Sequence, residues 1–150
     1  VYEDALHADA LGKRLGELRT QAQVSRSPNE AFTGLMDEIE NKEQWEDTIE
    51  RLVGIYRVMK PHLVAHYSAH VAAANPVYEP PTLRILAHLM DDEKRHIERG
   101  SVLLNDLLDS GGAHRRAAQW QAHLEEILAA AGGVTGFPED QPEAQKLGRS

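Results

Sequence analysis

The chain has 150 residues, 41% hydrophobic and 27% charged, a composition typical of one globular domain and too apolar for a disordered segment. Its formal charge of −8 argues against a nucleic-acid partner, because binding to nucleic acid depends on Lys and Arg neutralising phosphates. The absence of cysteine excludes disulfides and thiolate chemistry, and no apolar run is long enough for a membrane span, so we expect a cytoplasmic protein.

Helical periodicity dominates from the first residues onward, and strand signals are nearly absent. The first predicted helix covers residues 2–20 and carries Leu11, Leu15 and Leu18 on its apolar stripe. It has no cap residue before it, and the chain begins with Val1 rather than Met, so we expect a missing upstream segment.

Two more helices are predicted before the middle of the chain. Ser27, Pro28 and Glu30 form a capping box that predicts a short helix over residues 28–40. A long helical pattern follows over residues 43–74, and Pro61 interrupts it. Proline removes a backbone donor and clashes with the preceding turn, so a kink is expected near residues 57–61.

Two further helices follow the proline-rich connector at residues 75–81. One is predicted over residues 82–109 and ends at Ser110-Gly111-Gly112, and the other covers residues 114–131 and ends at Gly132-Gly133. The sequence therefore predicts an all-α fold, with a helical-bundle domain over residues 1–131 and a mostly irregular tail over residues 132–150.

Ionisable side chains occupy helix positions where apolar ones are expected. A heptad that includes Leu86, Met90 and Ile97 places Glu93 in the interior, with His96 three residues later on the same face. A buried carboxylate needs a compensating partner, since removing it from water costs several kcal/mol. Glu93-x-x-His96 is the kind of pair with which helical bundles bind metals.

The histidines of the long helix continue its apolar stripe. His62, His66 and His70 follow i, i+4, i+8 spacing and form one imidazole column. If the helices on either side of the short connector are antiparallel neighbours, Glu93 lies level with Leu63, because both are equally far from the middle of the connector. Glu93 and its neighbour should therefore face the turn that holds the first two of these histidines.

The first helix carries the same type of pair. Asp4 and His7 extend its leucine stripe towards the N-terminus and form Asp4-x-x-His7, the geometry of the Glu93 pair with a shorter acid. Three helices thus place acids and imidazoles at positions where hydrophobic residues are expected.

This pattern resembles the ferritin-like superfamily, whose helical bundles hold two metal ions with carboxylates and two E-x-x-H pairs. The resemblance covers residues 1–109 and identifies Asp4-x-x-His7 and Glu93-x-x-His96 as the two pairs. It implies an up-down bundle with residues 21–42 as a long crossover and residues 114–131 as an additional C-terminal helix. The chain departs from the family at position 4, where Asp replaces Glu, and in its third helix, which offers histidines instead of a Glu.

The resemblance also implies a function. The protein would be an O₂-dependent oxidoreductase or oxygenase acting on a small molecule, with iron at the centre and manganese or zinc as alternatives. Asp91, Asp92 or Tyr67 would orient an imidazole. A homodimer, or the missing upstream helix, would complete the bundle. The implied ligands are Asp4, His7, His62, His66, Glu93 and His96.

Each candidate residue also has a structural explanation. Glu93 would fit as the partner of a Lys or Arg from another helix, and Asp4 as an acid that the helix dipole favours near the N-terminus. His66 and His70 would fit as histidines at the edge of the core. These explanations favour an alternative function, a non-catalytic helical bundle that oligomerises or docks on a partner. A hemerythrin-like bundle is a third alternative, suggested by the spacing of the His62 column, but it needs histidines on more helices.

Overall fold

The computed structural model describes residues 2–18, 29–42 and 47–136, and every regular element in these ranges is helical. The predicted all-α class is confirmed. In chain order the elements are α1 (Tyr2–Glu17), α2 (Glu30–Glu40), α3 (Thr48–Val53), a π-helical segment (Gly54–Met59), α4 (Lys60–Ala73), α5 (Pro80–Leu107) and α6 (Gly111–Ala130). Parts of the predicted elements at residues 19–20, 27–28 and 43–46, and the tail at residues 137–150, lie outside the described residues.

Two helix starts differ from the sequence-based prediction. The N-cap of α2 is Asn29 rather than Ser27, because the Asn29 Oδ1 accepts the backbone N–H of Phe32 at 3.1 Å. Ser110, predicted to end the preceding helix, is the N-cap of α6, because its Oγ accepts the backbone N–H of Ala113 at 3.2 Å. A cap of this kind satisfies one of the unpaired amides at a helix start, so α6 begins earlier than predicted.

The predicted long helix contains a π-helical turn where a kink was expected. The backbone N–H of Lys60 donates to the carbonyl of Ile55, five residues back instead of four. Pro61 follows directly and has no N–H to contribute to an α-helical ladder. A π-helical turn accommodates one extra residue, which rotates the helix face that follows it by about 100°.

The apolar core is concentrated around α6. One cluster consists of Val53, Leu104, Leu108, Ala113 and Ala117, and the other of Leu35, Ile39, Val58 and Leu124. Trp120 packs against both clusters, and its Nε1 donates to the carbonyl of Glu50 at 2.9 Å. In the described part of the chain neither cluster includes a side chain of α1 or α4, so these two helices are held mainly by other contacts.

α1 and α4 both run antiparallel to α5. The Ser68 Oγ lies 3.3 Å from the Met90 Sδ across the α4–α5 contact, which agrees with the pairing expected from the short connector. Arg14 Nε donates to Thr82 Oγ1 at 2.8 Å, so the end of α1 lies beside the start of α5. The two contacts place the N-terminal half of α5 between α1 and α4.

We expect Gly100→Ala to destabilise the fold. A Cβ at Gly100 would overlap the ring of Tyr56, because α5 lies directly against the π-helical segment. Overpacking of this kind costs about 1–3 kcal/mol of unfolding free energy. Gly34→Ala in α2 is the matched control, since a Cβ there meets nothing within 4 Å and gains helix propensity. Thermal unfolding measures both variants, and a Gly100→Ala protein as stable as the control would contradict the close approach.

Candidate metal centre

A buried ammonium lies at the point where α1, α4 and α5 meet. The Lys60 side chain is 6% exposed, and its Nζ donates to Asp4 Oδ1 at 2.8 Å and to Glu93 Oε2 at 2.7 Å. The third bond goes to His96 Nδ1 at 3.2 Å. An ammonium has three donors, so all of them are used, and one side chain of α4 links α1 to α5.

The π-helical turn explains why Lys60 faces Glu93. The sequence placed Leu63 level with Glu93, and Lys60 lies within one helical turn of that depth. The extra residue in the turn shifts the inward face of α4 by one position, so the face expected to carry His62 and His66 no longer points at Glu93. The structure therefore does not bring these two histidines to the acids of α1 and α5.

His7 is buried between two carboxylates. Its Nε2 lies 3.0 Å from Asp92 Oδ2, and its Nδ1 lies 3.3 Å from Glu93 Oε1. A neutral imidazole has one N–H, so one ring nitrogen presents its lone pair to a carboxylate oxygen. A metal ion between that nitrogen and the carboxylate, or a hydrogen on either atom, would make the contact favourable.

Asp4, His7 and Glu93 form the candidate metal centre. Each offers one ligand atom, and these atoms all lie within 4.8 Å of one another. One imidazole nitrogen and two carboxylate oxygens suit iron, manganese or zinc. Asp92 contacts the other ring nitrogen of His7, as an outer carboxylate does in carboxylate–histidine–metal arrangements. Asp92 was predicted only as one of several supporting residues, although it is as buried as Glu93.

His96 lies beside this centre rather than in it. Because an ammonium only donates, His96 Nδ1 accepts from Lys60, and its Nε2 carries the hydrogen that is directed at Glu3. His96 Nδ1 is 3.7 Å from Glu93 Oε2. Four of the six predicted ligands thus lie close together. Asp4, His7 and Glu93 form the centre, and His96 is its neighbour.

The electrostatics of the cluster favour ionised acids. Although burial opposes ionisation of Asp4, the hydrogen bond from Lys60 holds the pKa of its carboxyl well below the usual range. The hydrogen bond with His7 lowers the pKa of Asp92. Burial disfavours the Lys60 ammonium, but its bonds to Asp4 and Glu93 raise its pKa overall. The cluster therefore combines several carboxylates with the Lys60 ammonium, and the Arg95 guanidinium pairs with Asp92 beside it.

His62 and His66 hold the C-terminal turn. His62 Nε2 accepts the backbone N–H of Val134 at 3.0 Å, and the two imidazole rings meet edge-on with centroids 4.3 Å apart. Gly133, with φ of +69°, allows this approach, because a Cβ there would lie 2.9 Å from His62 Cε1. Burial, with a contribution from His66, lowers the pKa of His62 to about 4. These histidines act as packing groups for residues 131–136.

Comparisons with known proteins leave the family of the chain open. No family model matches the sequence, and no curated protein or solved structure does so. None of the described helices combines the length and the apolar character that crossing a bilayer requires.

We expect acidification to weaken the attachment of the C-terminal turn through His62. Its pKa is about 4 in the folded chain against an ordinary 6.5, so between these values the unfolded chain binds the proton more readily. This contribution to stability is therefore present above pH 6.5 and is lost as the pH falls towards 4. Denaturant unfolding at pH 7 and pH 5 measures it, and His62→Phe should show a smaller loss than the unchanged protein.

His114→Phe is the control, because His114 is exposed on α6. It should keep the full pH dependence. If the His62→Phe and His114→Phe proteins lost the same free energy of unfolding between pH 7 and pH 5, the role of His62 in the pH dependence would be contradicted.

Proposed function

We propose that the protein binds one divalent transition-metal ion between α1 and α5, with Asp4, His7 and Glu93 as ligands. The observation that carries this proposal is the position of His7, because both of its ring nitrogens face buried carboxylates. His7 Nδ1 and Glu93 Oε1 would each contribute one ligand atom to the ion. His7 Nε2 would then donate its hydrogen to Asp92, which would fix the orientation of the imidazole.

The residues fit one ion better than the two that the ferritin-like resemblance implies. The helix that should supply a carboxylate or a histidine to the second ion presents Lys60 instead. The same ammonium occupies His96 Nδ1, and His62 Nε2 is used by the C-terminal turn. We therefore propose a one-metal variant of a ferritin-like bundle, in which a lysine provides the second positive charge.

Lys60 is compatible with an ion at this centre because a carboxylate has two oxygens. Glu93 directs Oε2 to Lys60 and Oε1 to His7, so one oxygen pairs with the ammonium and the other is available to the proposed ion. Lys60 also positions Asp4 through its hydrogen bond. The ammonium would thus hold both acidic ligands in place while it offsets part of their charge.

The activity we propose is that of an O₂-dependent oxidoreductase acting on a small molecule. Iron or manganese would supply the redox chemistry when bound, and zinc would supply Lewis acidity instead. The residues of the chain would hold and orient the ligands of the ion. Asp92 fixes the ring of His7, and Lys60 fixes the carboxylate of Glu93. The oxidoreductase assignment depends on the ferritin-like resemblance, whereas the ion site depends on the geometry around His7.

We expect chelator-treated protein to bind about one equivalent of Mn²⁺, Zn²⁺ or anaerobic Fe²⁺ and to gain thermal stability. Titration calorimetry should show that Glu93→Gln weakens binding at least tenfold, because it removes a ligand charge. Asp92→Asn should weaken binding by about 10–100-fold, the usual effect of losing an outer partner. Glu98→Gln, an exposed acid on α5, is the matched control. No saturable binding and no thermal shift with any of the three metals would reject the site.

A second candidate function is a metal-free bundle that serves as an interaction module. Lys60 is the observation that favours it, because the ammonium already neutralises Asp4 and Glu93 in part. Exposed apolar side chains on α1 and α5 would supply a contact surface for a second copy or another partner. They include Tyr2, Leu6, Val102 and Leu103.

Lys60→Met separates the two candidates. Removal of one partner from a buried ion pair costs about 3–5 kcal/mol, so the metal-free variant should be much less stable than the unchanged chain. Lys13→Met, whose side chain is 74% exposed in a surface pair, should have little effect. If the ion site exists, added Zn²⁺ should restore part of the lost stability of Lys60→Met. Destabilisation that no metal relieves would favour the interaction module, and an unaffected stability would contradict the role of the ammonium.

A further inference from the structure

We propose that a groove beside the candidate metal centre binds an elongated apolar molecule with one carboxylate head. This inference deepens the proposed function by naming a substrate class, and it rests on that function for the reaction but not for the binding. The groove lies between α1, α4 and α5 and has a volume of about 640 Å³. Its walls include Leu11, Leu15 and Leu18 of α1, Tyr67 and His70 of α4, and Leu86 of α5.

The groove is apolar because the leucine stripe of α1 faces it. These leucines form the apolar stripe predicted for the first helix, and Leu15 and Leu18 remain 38% and 51% exposed. Leu86 of α5 continues the same wall. Concave, mostly apolar clefts of about 300–1,000 Å³ are typical small-molecule sites. An apolar ligand chain would therefore remove these side chains from water, which is favourable.

Charge complementarity favours a carboxylate head. The chain has 24 Asp and Glu against 16 Lys and Arg, yet no acidic side chain is among the described residues that line the groove. The charged and titratable groups in its wall are instead Arg14, Tyr67, His66 and His70. Two acids, Glu17 at Arg14 and Glu79 at His70, pair with these groups from outside the lining, so a molecule with a negative head and an apolar body meets no acidic side chain on the walls themselves.

Arg14 is held in a fixed position at one end of the groove. Its Nε donates to Thr82 Oγ1 at 2.8 Å, and its Nη1 donates to Glu17 at 2.9 Å. A guanidinium has five N–H donors in a planar fork, so these two bonds orient it without using all its donors. Glu17 is 62% exposed, and a surface pair of this kind is weak enough to be shared with a ligand carboxylate.

The groove has a polar end and an end near the metal centre. Arg14 and Thr82 lie where α5 begins, next to the connector that follows His70. Leu11 marks the other end, because it lies about one helical turn after His7 on α1, and Tyr67 of α4 lines the same groove. A carboxylate at Arg14 thus directs the apolar tail towards Leu11. The carbon atoms remote from the head would then lie next to the candidate metal centre.

Titration calorimetry with octanoate, octylamine and octanol on chelator-treated full-length chain tests this proposal. Octanoate should bind saturably, and at least tenfold more tightly than octylamine. Leu15→Gln should weaken octanoate binding at least tenfold, and Leu18→Gln should do the same. Leu103→Gln is the matched control, because Leu103 is 45% exposed on α5 and lies outside the groove. Arg14→Gln should abolish the preference for octanoate over octanol.

Absence of saturable octanoate binding would overturn the proposal, as would equal binding of octylamine. Octanoate affinity unchanged in both Leu15→Gln and Arg14→Gln would also overturn it. The test is independent of the metal site, because the assay contains no metal and the variants leave Asp4, His7 and Glu93 unchanged. A failure here leaves metal binding intact, and a failure of metal binding leaves octanoate binding intact.

Discussion

The interaction on which the rest of this structure depends is the pairing of one buried ammonium with carboxylates from two other helices. Lys60 bonds to Asp4 of α1 and Glu93 of α5, so charge links the three helices in addition to the apolar packing of buried α5 leucines such as Leu89. Removing the Lys60 and Glu93 charges from water costs several kcal/mol, which their pairing offsets, whereas the Asp4 side chain is 45% exposed. The two apolar clusters around α6 support the opposite part of the bundle.

A single π-helical turn decides which side chain of α4 takes part in this pairing. Such turns insert one residue into an α-helix and are often found at functional sites. Here the turn is followed by Pro61, and it directs Lys60 to the acids. It leaves His62 and His66 on a different face, where they hold the C-terminal turn. The same imidazoles that looked like ligands in the sequence are therefore packing groups.

The ring of His7 lies between two buried carboxylates, and each of them also pairs with a cation, Glu93 with Lys60 and Asp92 with Arg95. Lys60 satisfies one oxygen of Glu93, and the other oxygen faces an imidazole nitrogen, while Asp92 faces the second nitrogen. The donor set suits the proposed transition-metal ion. The apolar groove begins about one helical turn from His7, at Leu11, so the proposed ion site and the proposed site for an apolar molecule would lie side by side.

The sequence by itself determined the helical class, the burial of Glu93 and the antiparallel contact of α4 with α5. Each of these follows from local periodicity or from a short connector. The sequence also left open the pairing of Glu93 with a lysine of another helix, which the structure shows. Only the tertiary structure decided that this lysine is Lys60, because one π-helical turn changes which face of α4 points at α5. It also decided that Leu15 and Leu18 line a groove, because a periodic stripe specifies which face of a helix is apolar but not what covers that face.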